Sequence, residues 1–462
     1  MKHLFPAFIY YFRKIFFSSV IIFAISFNPV FPEDIILRKV RYLRPDILEW
    51  SEPVNIMVSG KLIRSLDYKE AGNDPAAQTR FVIPSLCDAF ATIGANSLGG
   101  QNSLPEIRTA LRSFLAHGFT HIQTVADGNW LYVLREEVKK ERSSGPEIVL
   151  SPRPLLAKSK ETNKLNAGNY FISDKGEDFE KEISSLAPNS GKIVHLFYRY
   201  NPGEKFNFDA RLINSLSKIT SGKEKTLSVT AFADRVSILE SITAGVLSIN
   251  HPIPYDLEKN LTKFHYNGLR WSPVFNNYYF LSRQGSSSLK TEFDFISKKS
   301  KYFKSNFAPT MEVLFNSKNL SDEELEKAKG EYNSYISFFK EHKELSAKMI
   351  LSGGSGALYS FPGVSGIQEL RIIRSVIGDG KDLLRIPTEN TCSYLATGHS
   401  GKIKLGKEAN LLVLLSDPLK NIDILLEPES VIKEGEYVFP RKTMAKPPGK
   451  KRKKHETGRK EK

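Results

Sequence analysis

Cysteine is nearly absent from this chain: Cys87 and Cys392 are the only two among 462 residues. That scarcity excludes a disulfide-built scaffold, and neither cysteine sits in a spacing that suits a metal. An oxidising compartment would let the two pair. Cys87 falls at the end of an expected strand and Cys392 in an expected helix, however, so two separate buried thiols are expected. A nucleophile elbow is also missing, and with it any Ser/His/Asp constellation. Gly99-Gly100 and Gly353-Gly354 are too bare to suggest a phosphate-binding loop.

What is present is an ordinary globular composition, 40% hydrophobic and 25% charged. Such a chain is long enough for one large domain plus a small one. At the N-terminus Lys2, Arg13 and Lys14 precede the apolar run 15–23, and Ala24-Ile25-Ser26 offers small residues for cleavage. Residues 1–26 therefore read as a signal peptide, with a periplasmic or extracellular destination. The run to Phe27 falls short of the roughly 20 apolar residues of a spanning helix. No cysteine follows it to carry a lipid.

The net charge of +15 is unevenly spread, since the tail from Arg441 to Lys462 holds eleven basic residues against Glu456 and Glu461. Pro447-Pro448-Gly449 and the lack of apolar residues make 441–462 a disordered basic tail. It serves either as a solubilising extension or as an attachment to an anionic membrane or glycan surface, each basic group contributing about 1 kcal/mol near a membrane. A nucleic-acid partner is not expected, because no recognition motif accompanies the charge.

Between these ends the apolar pattern organises the chain. Segments 34–42 and 54–63 read as short strands with a Ser-Gly turn, and 411–415 and 431–438 are of the same kind. From about Val82 to Ser400 strands and helices alternate, as a parallel barrel requires. The helical stretch from Ile107 to His117 leads into a strand from Gly118, and Lys192–Tyr198 and Lys225–Phe232 follow as later strands. His117 and His121 flank Gly118, which ends the helix between them, so they are not expected to share a metal. Trp271, Phe275, Tyr278, Tyr279 and Phe280 form an aromatic cluster on an expected loop.

Four stretches carry a family resemblance. Ile83-Pro84-Ser85-Leu86-Cys87-Asp88-Ala89-Phe90-Ala91-Thr92 resembles Pro-Gly-Leu-Ile-Asp-x-His-x-His. The segment from Gly401 to Leu415, followed by Asp417-Pro418-Leu419, resembles Gly-x-Ile-x-x-Gly-Lys-x-Ala-Asp-Leu-Val-Val-Leu, with Asn410 in place of the Asp. Ser241–His251 resembles Ala-x-x-Ala-Gly-Val-x-Ser-Ile-Glu-His, and Gly118–Val125 resembles Gly-Phe-Thr-Thr-Val-Arg-Asp. All four belong to the amidohydrolase superfamily, and the resemblance, covering roughly residues 36–436, is closest to its imidazolonepropionase and Xaa-Pro dipeptidase branch.

The resemblance implies a (β/α)8 barrel over 84–398 with a small β-sandwich built from both ends, 34–83 and 399–440. It also exposes what is missing. Residues two apart on a strand point the same way, so the family's paired histidines grip one metal, but here those positions hold Phe90 and Thr92. A phenyl ring cannot ligate zinc. The family's His-Ala-His falls on Thr230-Ala231-Phe232, or on Ala231-Phe232-Ala233 with the register moved by one, and neither contains a histidine; the aspartate of its final strand falls on Gly354, which leaves no base there. His195 lies near the position of the carbamylated lysine and His251 at a ligand or substrate-contacting position. Asp88 matches the aspartate that precedes the ligand pair, where a structural role at the strand end is expected.

These substitutions imply an exported, catalytically defective homologue that uses no metal or other cofactor and binds a small molecule or partner at the barrel mouth. Phe90, Thr92, Thr230, Phe232 and Gly354 would line that pocket. The rival reading is a working hydrolase of carbon–nitrogen bonds rebuilt on His251, His195 and Asp88. A third reading is a surface-attachment protein acting through its basic tail.

Overall fold

The computed structural model describes residues 34–69, 78–98, 100–165, 168–231, 234–257, 268–316, 320–380 and 382–440. The expected signal peptide, the basic tail, Gly99, Phe232 and Ala233 lie outside the described residues.

Five strands precede the barrel: β1 (Ile35–Arg44), β2 (Glu49–Trp50), β3 (Val54–Ser59), β4 (Leu62–Ser65) and β5 (Arg80–Pro84). The barrel follows with β6 (Leu86–Ala91), β7 (Phe119–Thr124), β8 (Glu147–Val149), β9 (Leu155–Ala157), β10 (Phe171–Ser173), β11 (Ile193–Tyr198), β12 (Thr226–Ala231), β13 (Ser248–Ile249) and β14 (Arg270–Trp271). Three more close the chain: β15 (Leu411–Leu414), β16 (Ser430–Lys433) and β17 (Glu436–Phe439).

The two ends join in one mixed sheet with the path β17-β16-β15-β5-β1-β3-β4, and β2 pairs with β1 at its side. Val82 and Ile83 of β5 pair with Val413 and Leu412 of β15, so residues more than 300 apart in sequence form one ladder. The alternation that made these segments strands also buries one face, where Ile56, Val58, Ile63, Val82, Leu411 and Ile432 make a core separate from the barrel's.

The barrel strands run parallel, β6 with β7 and β7 with β8, then β9 with β11, β11 with β12, and onward to β14. Residues 349–355 supply the last wall without regular strand pairing. Ile350 N donates to Trp271 O on one side (2.9 Å), while Ala89 N donates to Leu351 O (2.8 Å) and Thr92 N to Ser355 O (2.8 Å) on the other. That closes the ring on β6. Val194, Leu196, Tyr198, Leu227, Val229 and Ala231 join the large outer core shared with the helices. The helix Leu104–Ala116 begins as expected, with Pro105 in its first turn and the Glu106 carboxylate accepting from Ser103 N (2.6 Å).

Two expectations are corrected. Cys87 and Cys392 are not separate thiols but a disulfide across 305 residues of sequence, because the helix Thr391–Leu395 packs against the barrel at the start of β6. The aromatic cluster is not a loop: Trp271 ends β14, and Phe275, Tyr278, Tyr279 and Phe280 lie on the helix Phe275–Leu281. Glu369, buried on the helix Val364–Ile377, accepts from Phe275 N (3.0 Å) and Asn276 N (2.7 Å), and this satisfies two donors at the start of that short helix.

Candidate functional site

At the C-terminal ends of the barrel strands, where such folds carry their active groups, lies a cavity of about 510 Å³. Phe90 and Thr92 reach it from β6, Phe197 from β11, Thr230 from β12 and Tyr278 from the helix Phe275–Leu281. Leu156, Leu165, Tyr170, Leu281 and Leu358 add apolar wall, and among the described residues no Asp, Glu, Lys or Arg lines it. Five sequence-derived positions therefore meet here: Phe90, Thr92, Thr230, His251 and Gly354. Asp88 and His195 do not line the cavity.

Thr92, Gly354 and His251 each have a local constraint. The Thr92 hydroxyl donates to Val125 O at 2.9 Å. Gly354 has φ +61°, a conformation that disfavours side chains, and a Cβ there would meet Val274 Cγ1 at 2.9 Å and Asn277 Nδ2 at 3.0 Å. The space that a side chain at Gly354 would need is already filled. His251 Nδ1 donates to Pro252 O (2.6 Å), which leaves Nε2 to accept from the Tyr278 hydroxyl (2.5 Å). Burial pushes its pKa down to about 4, so the ring is neutral.

Below the cavity, His195 is wholly buried with the Phe90 ring edge-on at 5.5 Å. Neither ring nitrogen has a hydrogen-bond partner among the described residues, and burial drives its pKa to about 3. Asp88 is equally buried and accepts from Phe90 N (3.0 Å) and, through both oxygens, from Gly353 N (3.1 Å each). Burial raises its pKa to about 7 against those hydrogen bonds. It ties β6 to the final wall, and a Cβ on Gly353 would meet its Oδ2 at 2.7 Å. Glu369, at the foot of the same region, is raised to about 8, by burial first and by the charge of Asp88 last.

A divalent metal at the mouth does not fit these side chains. Phe90 and Thr92 offer no free donor, Gly354 has no side chain, and both nitrogens of His251 are engaged. Sequence reasoning missed Asp127, whose carboxylate accepts from Ile93 N (2.9 Å) and Gly94 N (2.7 Å) and holds the loop after β6. It also missed His399. Among the described residues, the three-residue group with metal-ligand spacing is Cys87, His121 and His399, at the opposite end of the barrel. His121 is thus brought to His399 and not to His117, whose Nδ1 contacts Ser113 O at 2.7 Å and whose Nε2 contacts Ser300 Oγ at 2.9 Å.

No family model and no curated protein matches the sequence. Solved structures do match the fold. A Xaa-Pro dipeptidase with bound methionine in its active site aligns with TM-score 0.65 at 14% identity, over 88% of this chain and 99% of that one. A prolidase complexed with N-methylphosphonate-L-proline gives 0.63 at 16% identity, over 88% and 99%. Ochratoxinase from A. niger gives 0.64 at 14% identity, over 88% and 95%. Barrel and composite sheet together, the chain has the fold of the amidohydrolase superfamily.

Proposed function

We propose that the chain is a catalytically defective amidohydrolase homologue whose barrel mouth binds an uncharged, largely apolar small molecule. The observation that carries this reading is the cavity itself. Its wall lacks any charged side chain among the described residues, and the positions where the family places metal ligands hold Phe90, Thr92, Thr230 and Gly354. A cavity of about 510 Å³ is in the range that suits a small organic ligand, with a few polar groups to orient it. Asn250, Asn277 and Tyr278 are the polar groups available. A charged ligand would lose its hydration there without gaining a partner.

Titration with Nile red, an uncharged dye, tests the reading. Saturable one-to-one binding is expected, weakened about tenfold or more by Leu281→Lys, which puts an unpaired charge at the rim. Zinc-dependent hydrolysis of dipeptides or amides that is lost in His251→Ala would overturn it in favour of a rebuilt hydrolase. The unpartnered nitrogens of His195 are what favour that second reading, and Phe90 stands between them and the cavity.

We further propose export, supported by the basic N-terminus with its apolar run and by the disulfide, which is at home in an oxidising compartment. The basic tail would then attach the protein to an anionic membrane or glycan surface. No helix among the described residues is long and apolar enough to cross a membrane.

A further inference from the structure

The N-terminal end of the barrel carries a second constellation that the mouth does not use. The register places Cys87 of β6 beside His121 of β7, and His121 beside Glu147 of β8, so three neighbouring strands contribute at one level. The helix Thr391–Leu395 lies against this end, with the Tyr394 hydroxyl donating to Ser248 Oγ at 2.9 Å. The loop that follows brings His399 onto His121, ring centroids 4.9 Å apart and 19° from parallel. One ligand atom each of Cys87, His121 and His399 lies within 4.8 Å of the other two, and all three residues are buried.

The geometry suits zinc. Ligands about 2.0–2.3 Å from a tetrahedral zinc ion are roughly 3.3–3.7 Å from one another, so the three need to close by about 1.5 Å at most. Thr120 Oγ1 contacts His121 Nδ1 at 2.9 Å, which orients the ring and turns Nε2 toward Glu147 Oε2, 3.5 Å away. Glu147 is therefore the nearest fourth ligand. Ser85 Oγ stands 3.3 Å from His399 Nε2, the kind of outer contact that orients a ligating imidazole. The charged neighbours of Glu147 are Lys433, whose ammonium donates to Gly145 O (3.0 Å), and Arg135.

One obstacle stands in the way: the Cys87 sulfur is bonded to Cys392. We propose that Cys87, His121 and His399 form a zinc site that fills when the Cys87–Cys392 disulfide is reduced. The metal then replaces the disulfide in the same mechanical task. His399 lies seven residues beyond Cys392, so either link ties the closing segment to β6. Reduction by a phosphine balances as follows. The phosphine takes the oxygen of one water to become its oxide and supplies two electrons, and the two protons of that water leave Cys87 and Cys392 as thiols. Zinc then displaces the Cys87 thiol proton to solvent.

The test uses the full chain loaded with cobalt(II) as a spectroscopic stand-in for zinc, whose binding to sulfur gives a thiolate-to-metal charge-transfer band. The band is expected in wild type after reduction with tris(2-carboxyethyl)phosphine and in Cys392→Ser without any reductant. It should be absent from the oxidised wild type and from the Cys87→Ser/Cys392→Ser pair. Adding His399→Ala to Cys392→Ser should weaken metal binding by roughly 100-fold or more. No thiolate band in reduced wild type, or unchanged affinity when His399 is replaced, overturns the proposal. If Cys392→Ser fails to fold, the reduced wild type decides.

Discussion

The two ends of this barrel differ in chemical character. The mouth is largely apolar and, among the described residues, lined by no charged side chain, with Asn250, Asn277 and Tyr278 as its polar groups. The N-terminal end, where barrels ordinarily carry residues for stability, holds a thiol-derived sulfur, two stacked imidazoles and a carboxylate at one level. The same scaffold thus separates the position of a site from its chemistry. Strand ends position side chains in either direction, and the residue types decide which end is reactive.

Breaking the cross-link at the closed end has the largest expected effect on stability. A disulfide spanning 305 residues restrains the unfolded chain strongly, by about 5 kcal/mol in the chain-entropy estimate. Urea unfolding of Cys87→Ser/Cys392→Ser should show a loss approaching that value, whereas a loss under about 1 kcal/mol would mean that the helix Thr391–Leu395 holds this end shut unaided.

Beneath the mouth the contrast can be sharpened with pH. Glu369 has its folded pKa raised to about 8, so the folded state holds a proton that the unfolded state releases from about pH 4.5 upward. Wild type therefore loses stability as pH rises between those two values, and Glu369→Gln is spared that loss. From pH 5 to 8 the variant should gain on wild type by roughly 3–4 kcal/mol, measured as the difference in unfolding free energy. A pH-independent difference would show Glu369 ionised in the fold. Phe90→Ala should cost a comparable or smaller amount, about 1–3 kcal/mol, and should open a path from the cavity to His195. Diethylpyrocarbonate would then modify His195 in the variant and spare it in wild type. The smallest effect on stability belongs to deletion of 441–462, within about 0.5 kcal/mol, although it should abolish binding to anionic liposomes.

Much of the fold was legible because its signals are local. Period-two apolar strands, the Gly-rich closing segment and the Ser103 to Glu106 helix start each depend on a few consecutive residues. That Phe90 and Thr92 face the mouth together was legible for the same reason, since a strand places alternate residues on one side wherever it sits. The disulfide was not: Cys87 and Cys392 were read as separate because nothing near either one says what packs against it. The helix Phe275–Leu281 was mistaken for a loop because it is short and takes part of its N-terminal support from the distant Glu369. His399 carried no motif at all, and only its stacking on His121 singles it out.

The sequence by itself determined the order of strands and helices and the composite sheet, and it put Phe90 and Thr92 on one side of their strand, because those follow from residue type and short-range period. Tertiary structure alone decided that Gly354 has no room for a side chain, that His195 is covered by Phe90, and that Cys87, His121 and His399 meet. Each of those facts arises from a contact between segments far apart in the chain, and such a contact exists only once the barrel has closed.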